Sequence, residues 1–160
     1  MKLVLVGFLS FFLFFIHIEE VRKLYPEAIE DTSKTDNLNE LLATITLENN
    51  AVLYCYKGAV FTLKAKHAKT VKDKKEFFQE GVAIIEAAVA SNPENIELRF
   101  IRLSVQENAP KIVKYRDAME ADKNFILQHF SELKGGSLKN MIQKYIKDSK
   151  AFSDTEKLGF

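Results

Sequence analysis

Two arginines and a glutamine on one apolar helix could bind an anion. Arg99 and Arg102 are three residues apart and Gln106 follows four residues later, so their side chains share one side of a helix. Guanidinium groups at this spacing can form forked hydrogen bonds to the carboxylate or phosphate of a ligand. They can equally pair with a glutamate of a neighbouring hairpin and stabilise the interior. We therefore take Arg99, Arg102 and Gln106 as candidate partner-binding residues, with internal pairing as the alternative.

A second candidate is a dense run of lysines in the middle of the chain. Between residues 64 and 75 only Asp73 opposes the basic residues, which are Lys64, Lys66, Lys69, Lys72, Lys74 and Lys75. Such a basic segment can bind anionic lipid headgroups or an acidic partner, at about 1 kcal/mol per lysine near a charged membrane. A solvated helix end also explains it, because lysines near a helix C-terminus interact favourably with the helix dipole.

The sequence carries no recognisable catalytic or metal-binding motif. His17, His67 and His129 are far apart, and none has a second ligand at a metal-binding spacing. A phosphate loop, a dinucleotide-binding glycine motif, a Gly-x-Ser-x-Gly motif and a His-Glu-x-x-His motif are all absent. Cys55 is the only cysteine, and its apolar neighbours favour a small buried hydrophobe over a reactive nucleophile. We therefore expect no enzymatic activity, no metal and no cofactor.

The N-terminal segment predicts that the chain is addressed to or through a membrane. Residues 3–18 are uncharged, include five phenylalanines, and follow the single basic residue Lys2. Their length lies between that of a signal-peptide core and that of a membrane-spanning helix. Positions 11–24 offer no pair of small residues for cleavage. A cleaved signal peptide, an uncleaved anchor that associates with the membrane through residues 3–18, and a buried first helix therefore all remain open.

Residues 19–160 are expected to form one helical domain. They contain 22 basic and 22 acidic residues, because the leader holds one of the chain's 23 basic residues and none of its 22 acidic ones. This neutrality argues against a general nucleic-acid binder, whose affinity for phosphate comes from excess lysine and arginine. Apolar spacings of three and four residues, interrupted by few prolines and glycines, predict seven or eight helices and no sheet. The predicted helices cover about residues 19–29, 36–45, 51–67, 72–90, 93–106, 110–130 and 137–146, with a last capped turn at 153–156. Asp36 is expected to cap the second of these helices and Asn92 the fifth.

Part of this pattern resembles a tetratricopeptide repeat (TPR). Seven residues match that family's aromatic, small, bulky and terminal proline positions in two blocks, which are Tyr54, Gly58 and Phe61, then Gly81, Ile85, Ala88 and Pro93. The distance from Gly58 to Gly81 is longer than in that family, which implies longer helices or an inserted loop around residues 66–74. The small residues would let the two helices of a hairpin approach closely. The resemblance thus implies antiparallel hairpins stacked as a short TPR-like solenoid.

The helical domain also resembles a group of uncharacterised exported bacterial proteins, particularly over residues 95–106. This resemblance implies an exported protein, periplasmic or anchored in the membrane and facing the periplasm. Resemblance to the TPR family implies a concave groove that binds a peptide or a partner helix. We therefore expect a monomeric, non-enzymatic interaction module whose partner protein or peptide is unknown. The alternative is an envelope-tethered structural or lipid-associated protein that uses the uncleaved leader and the basic segment of residues 64–75.

Overall fold

The computed structural model describes residues 18–160, and in this range the chain is all-helical, without a β-strand. The all-α prediction is therefore confirmed for the described part of the chain. The helices are α1 (Ile18–Ala28), α2 (Thr32–Leu41), α3 (Ala51–His67), α4 (Val71–Ser91), α5 (Ile96–Asn108), α6 (Met119–His129), α7 (Ser137–Asp148) and α8 (Asp154–Lys157), with 3₁₀ helices at Lys111–Val113 and Phe130–Glu132.

The leader expected at residues 1–18 lies outside the described residues except for Ile18, the first residue of α1. Among the helices from residue 18 onward, none combines the length and apolar character needed to span a bilayer. The choice between a signal peptide, an anchor and a buried helix therefore stays a prediction.

Three helix starts differ from the sequence prediction because other residues provide the cap. Helix α2 begins at Thr32 rather than near residue 36, since the carboxylate of Asp31, rather than that of Asp36, accepts hydrogen bonds from the backbone N–H groups of residues 33 and 34. Asn95, not Asn92, caps α5. The helix predicted from Pro110 is instead a single 3₁₀ turn, which ends at Lys114 in the left-handed conformation (φ 51°), so α6 starts only at Met119.

Helices α3 and α4 form the most extensive hairpin, joined by residues 68–70. The helices, of 17 and 21 residues, account for the long distance between the two TPR-like blocks. Their backbones meet at Gly58 and Gly81: a Cβ atom added to either glycine would lie 2.7 or 2.6 Å from the carbonyl oxygen of the other. Ile85 and Ala88 are fully buried beside this contact. The remaining TPR-like residues are placed outside the buried core, with Tyr54 and Phe61 half-buried and Pro93 exposed.

Helix α5 lies at the centre of the domain. Nine of its thirteen residues are buried, and it contacts α3, α4 and α6. Helix α7 contacts α1, so an element near the C-terminus packs against the first helix. A linear solenoid keeps each repeat in contact with its neighbours only. The TPR-like arrangement therefore stays a prediction.

Candidate binding groove

A wide groove with a volume of about 1590 Å³ opens on one side of the domain. Its walls come from α1, the C-terminal part of α3, α4, α5 and α7. Residues 109–115, which include the 3₁₀ turn at Lys111–Val113, complete the walls, and we call them the groove segment. Five helices, from α1 to α7, thus converge on one concavity. We call this concavity the groove.

The groove collects most of the large apolar side chains that remain exposed. Four such side chains occur in residues 18–160, and three of them, Val71, Ile112 and Val113, line the groove; the fourth is Leu158. Val71 and Ile112 are 83% and 88% exposed. Isolated exposed apolar residues are normal on protein surfaces, but a cluster in a concavity is typical of an interaction site.

Aromatic side chains support the walls of the groove. Phe78 of α4 packs edge-on against Tyr115 of the groove segment, with ring centroids 6.1 Å apart. On the other side, Phe100 packs edge-on against Tyr145 of α7 at 5.2 Å. All four residues line the groove. Rings held in this way give it a largely preformed apolar surface.

The charged side chains of the groove are predominantly basic. Six basic and two acidic residues line it, and both acidic residues are paired with lining lysines: Lys66 with Glu30 at 2.7 Å and Lys144 with Asp148 at 2.8 Å. Arg22 is held by Glu97 beneath the groove at 2.6 Å. The other three basic residues have no ion pair within residues 18–160, and they are Lys74, Lys75 and Lys114.

The groove segment is fixed from both of its ends. Arg116 donates hydrogen bonds to the carbonyl oxygens of Glu107 and Ala109, at 3.1 and 2.9 Å. The Tyr115 hydroxyl donates to a Glu86 carboxylate oxygen on α4, and burial together with this carboxylate raises the pKa of Tyr115. Lys114 is the one non-glycine residue with a positive φ among the described residues. This rare conformation costs about 1–3 kcal/mol and is typical of functional segments.

The candidate anion-binding arginines lie behind the groove, in a buried ion-pair network. The Arg102 guanidinium donates two hydrogen bonds of 2.7 Å to the fully buried Asp122 of α6, and a third, of 2.9 Å, to Glu86. Arg99 donates to the same Asp122 carboxylate at 2.9 Å. Burial alone would lower the pKa of Arg102, but Asp122 and Glu86 outweigh it and raise the pKa. The structure thus shows internal pairing, through carboxylates of neighbouring helices.

This network reaches the groove through Glu86, which accepts hydrogen bonds from both Arg102 and Tyr115. Arg102 therefore supports the groove segment without lining the groove. Gln106, the third predicted residue, is 2% exposed, does not line the groove, and has a side-chain oxygen without a hydrogen-bond partner.

The basic segment is divided between different surroundings. Lys66, Lys74 and Lys75 line the groove. Lys64 lies over the rings of Phe61 and Phe77 and beside a second, smaller pocket of about 180 Å³. The two other lysines are exposed. Lys69 lies in the α3–α4 turn, and the ammonium group of Lys72 lies 3.8 Å from the carboxylate of Glu76.

A second buried carboxylate was not anticipated from the sequence. Glu97 of α5 is 3% exposed, and it accepts hydrogen bonds from the Arg22 guanidinium and from the Tyr56 hydroxyl at 2.9 Å. Burial, followed by the charge of Glu97, raises the pKa of Tyr56 well above its ordinary value. These groups join α1, α3 and α5. The position of Glu97 between the apolar residues Ile96 and Leu98 is the one hint that the sequence offered.

The cysteine and the residues that could bind a metal complete the description of the polar groups. Cys55 is fully buried, and burial raises the pKa of its thiol well above the ordinary value, which disfavours the thiolate. No group of three or more His, Cys, Asp or Glu side chains in residues 18–160 is placed to hold a metal ion.

Comparisons of the chain with protein-family models, curated proteins and solved structures find no match. The functional inference therefore depends on the groove and on the residues that line it.

Proposed function

We propose that this protein is a non-enzymatic interaction module that binds a segment of a partner protein in the groove. The single observation that carries the proposal is the concentration of exposed apolar side chains at Val71, Ile112 and Val113. Leaving these side chains in water costs free energy, at about 25 cal/mol per Å² of apolar surface. A partner that covers them recovers that free energy on binding.

The size of the groove favours a polypeptide over a small molecule. Small-molecule pockets typically have volumes of about 300–1,000 Å³, whereas the groove has about 1590 Å³. The walls are themselves mainly helices, against which another helix can pack. We therefore propose a partner helix as the occupant.

We also propose that the protein is exported and meets its partner in the periplasm, in solution or anchored by residues 3–18. The uncharged segment behind Lys2 supports this part. Mass spectrometry of the N-terminus in the native host tests it. An intact Met1 in the membrane fraction supports anchoring, a shortened N-terminus in the soluble envelope fraction supports a cleaved signal, and an intact chain in the cytoplasm contradicts export.

Site-specific photocrosslinking in the native host tests partner binding. Ala83 is exposed and lines the groove, so a photoreactive benzoylphenylalanine at this position should form an adduct with a protein that mass spectrometry identifies. Gln128 on α6 is exposed and does not line the groove, and it serves as the matched control. The proposal requires one defined adduct from position 83 that is missing from position 128. Equal adducts from both positions, or none from either, would contradict it.

A further inference from the structure

The charge of the groove differs from that of the domain around it. Residues 18–160 contain equal numbers of basic and acidic residues. The groove nevertheless has an excess of basic side chains, and Lys74, Lys75 and Lys114 have no acidic partner in the described part of the chain. A concave, apolar surface with one sign of charge focuses its field and selects a partner of the opposite sign.

We propose that the occupant of the groove is an amphipathic helix with an apolar stripe flanked by acidic residues. This inference rests on the proposed function and specifies the chemistry of its partner.

Apolar and basic side chains of α4 share one face in the groove. Phe78 lies four residues before Val82, and Lys74 and Lys75 lie three or four residues from both Val71 and Phe78; all five residues line the groove. Side chains at these spacings form one continuous stripe on a helix. An incoming helix that packs its leucines on Val71, Phe78 and Val82 therefore places its flanking residues beside the two lysines.

The groove segment repeats this combination on a neighbouring wall. Ile112 and Val113 are exposed apolar residues, and Lys114 follows them directly. The α7 wall, by contrast, is close to neutral because Lys144 is paired with Asp148. The basic excess thus lies on the α4 wall and the groove segment. This asymmetry predicts that the acidic residues of the bound helix lie on one side of its apolar stripe.

A helical peptide is favoured over a lipid by the shape of the surface. Lysines that bind a bilayer lie on a flat or convex surface, whereas Lys74, Lys75 and Lys114 line a concavity. A single acyl chain would also leave most of the 1590 Å³ unfilled. A helix with apolar residues at positions i, i+3, i+4 and i+7 presents one apolar face, and such a face can pack into a groove formed between helices.

Fluorescence polarisation with two designed peptides of fourteen residues tests the inference. Both peptides carry leucine at i, i+3, i+4 and i+7, and they differ only in having glutamate or lysine beside the stripe. We expect the acidic peptide to bind at least tenfold more tightly, with an affinity that falls as salt is raised.

Charge-reversal variants locate the effect on the protein. The double variant Lys74→Glu/Lys75→Glu should lower the affinity for the acidic peptide about tenfold and raise the affinity for the basic peptide. The control Lys147→Glu/Lys150→Glu makes the same change of charge at exposed residues that do not line the groove. It should leave both affinities within about twofold. Circular dichroism checks that both variants remain helical.

The possible results separate this inference from the proposed function. Equal affinity for the two peptides overturns the acidic preference, while a groove-specific adduct at position 83 leaves the proposed function standing. Absence of peptide binding together with absence of that adduct overturns both. Displacement of the acidic peptide by palmitate, or binding to phosphatidylglycerol vesicles that is lost in Lys74→Glu/Lys75→Glu, also overturns the inference, because the occupant is then a lipid.

Discussion

Removing the Arg102 guanidinium is expected to destabilise the fold strongly, because it takes two hydrogen bonds away from a buried carboxylate. Arg102 is 8% exposed and makes two hydrogen bonds to Asp122, which is fully buried. Its deletion leaves that carboxylate with Arg99 alone. Breaking a buried ion pair by removing one partner costs about 3–5 kcal/mol of the free energy of unfolding. In a domain of this size that lowers the melting temperature by roughly 10–15 °C.

Thermal and urea unfolding of Arg102→Met, followed by circular dichroism, measures this cost. Arg99→Met is the matched control, because Arg99 is more exposed and makes a single hydrogen bond to Asp122, so it should cost about half as much. The double variant Arg102→Met/Asp122→Leu should recover part of the loss, since it removes both charges together. If Arg102→Met changes the free energy of unfolding by less than about 1 kcal/mol, the arginine is not an internal support and the anion-binding interpretation of Arg99 and Arg102 returns.

Three further outcomes follow from the packing and the backbone. Gly58→Ala should cost about 1–3 kcal/mol or more, because its Cβ would meet backbone 2.7 Å away, whereas Gly135→Ala, with no atom within 4 Å, should change stability little; urea unfolding compares them. Burial raises the pKa of Tyr25 to about 12, so the unfolded chain releases this proton from about pH 10 while the folded chain keeps it. Tyr25 alone should therefore contribute a loss of about 2–3 kcal/mol in the free energy of unfolding between pH 10 and 12. The variant Tyr25→Phe should show a shallower loss in the same pH titration, and an unchanged slope would contradict this assignment. Lys114→Gly should relieve the strain of the left-handed conformation and raise the free energy of unfolding by up to about 1 kcal/mol. The same variant should bind the acidic peptide more weakly. A loss of stability would show that the conformation is not strained.

The helices could be predicted from the sequence because their signals are local. Helix α3 has the predicted bounds, and the box between Ser153 and Glu156 caps α8 as expected. The start of α2 was wrong because Asp31 and Asp36 are both good capping residues, and their side-chain hydrogen bonds decide between them only in the folded chain. The break after Pro110 was missed because nothing in the residue type of Lys114 indicates a left-handed backbone.

The groove could not be predicted because it depends on how distant elements meet. Val71 and Ile112 are separate apolar residues in the sequence, and only the packing of α4 beside the groove segment brings them to one surface. The run of lysines was recognised as a unit, yet Lys64 lies beside the smaller pocket, whereas Lys66 of the same helix and Lys74 of α4 line the groove. Periodicity indicates which face of a helix is buried, but it does not indicate which neighbouring helix covers that face.

Titration of the ¹⁵N-labelled protein with the acidic amphipathic peptide, followed by amide chemical shifts, tests the central claim most directly. The account predicts that saturable shifts concentrate on α4 from Val71 to Val82, on the groove segment and on the facing part of α7. It also predicts that the amides of α2 and α6, whose residues do not line the groove, stay unchanged. Shifts centred on α2 or α6, or no saturable shifts at all, would contradict the claim that this groove is the binding site.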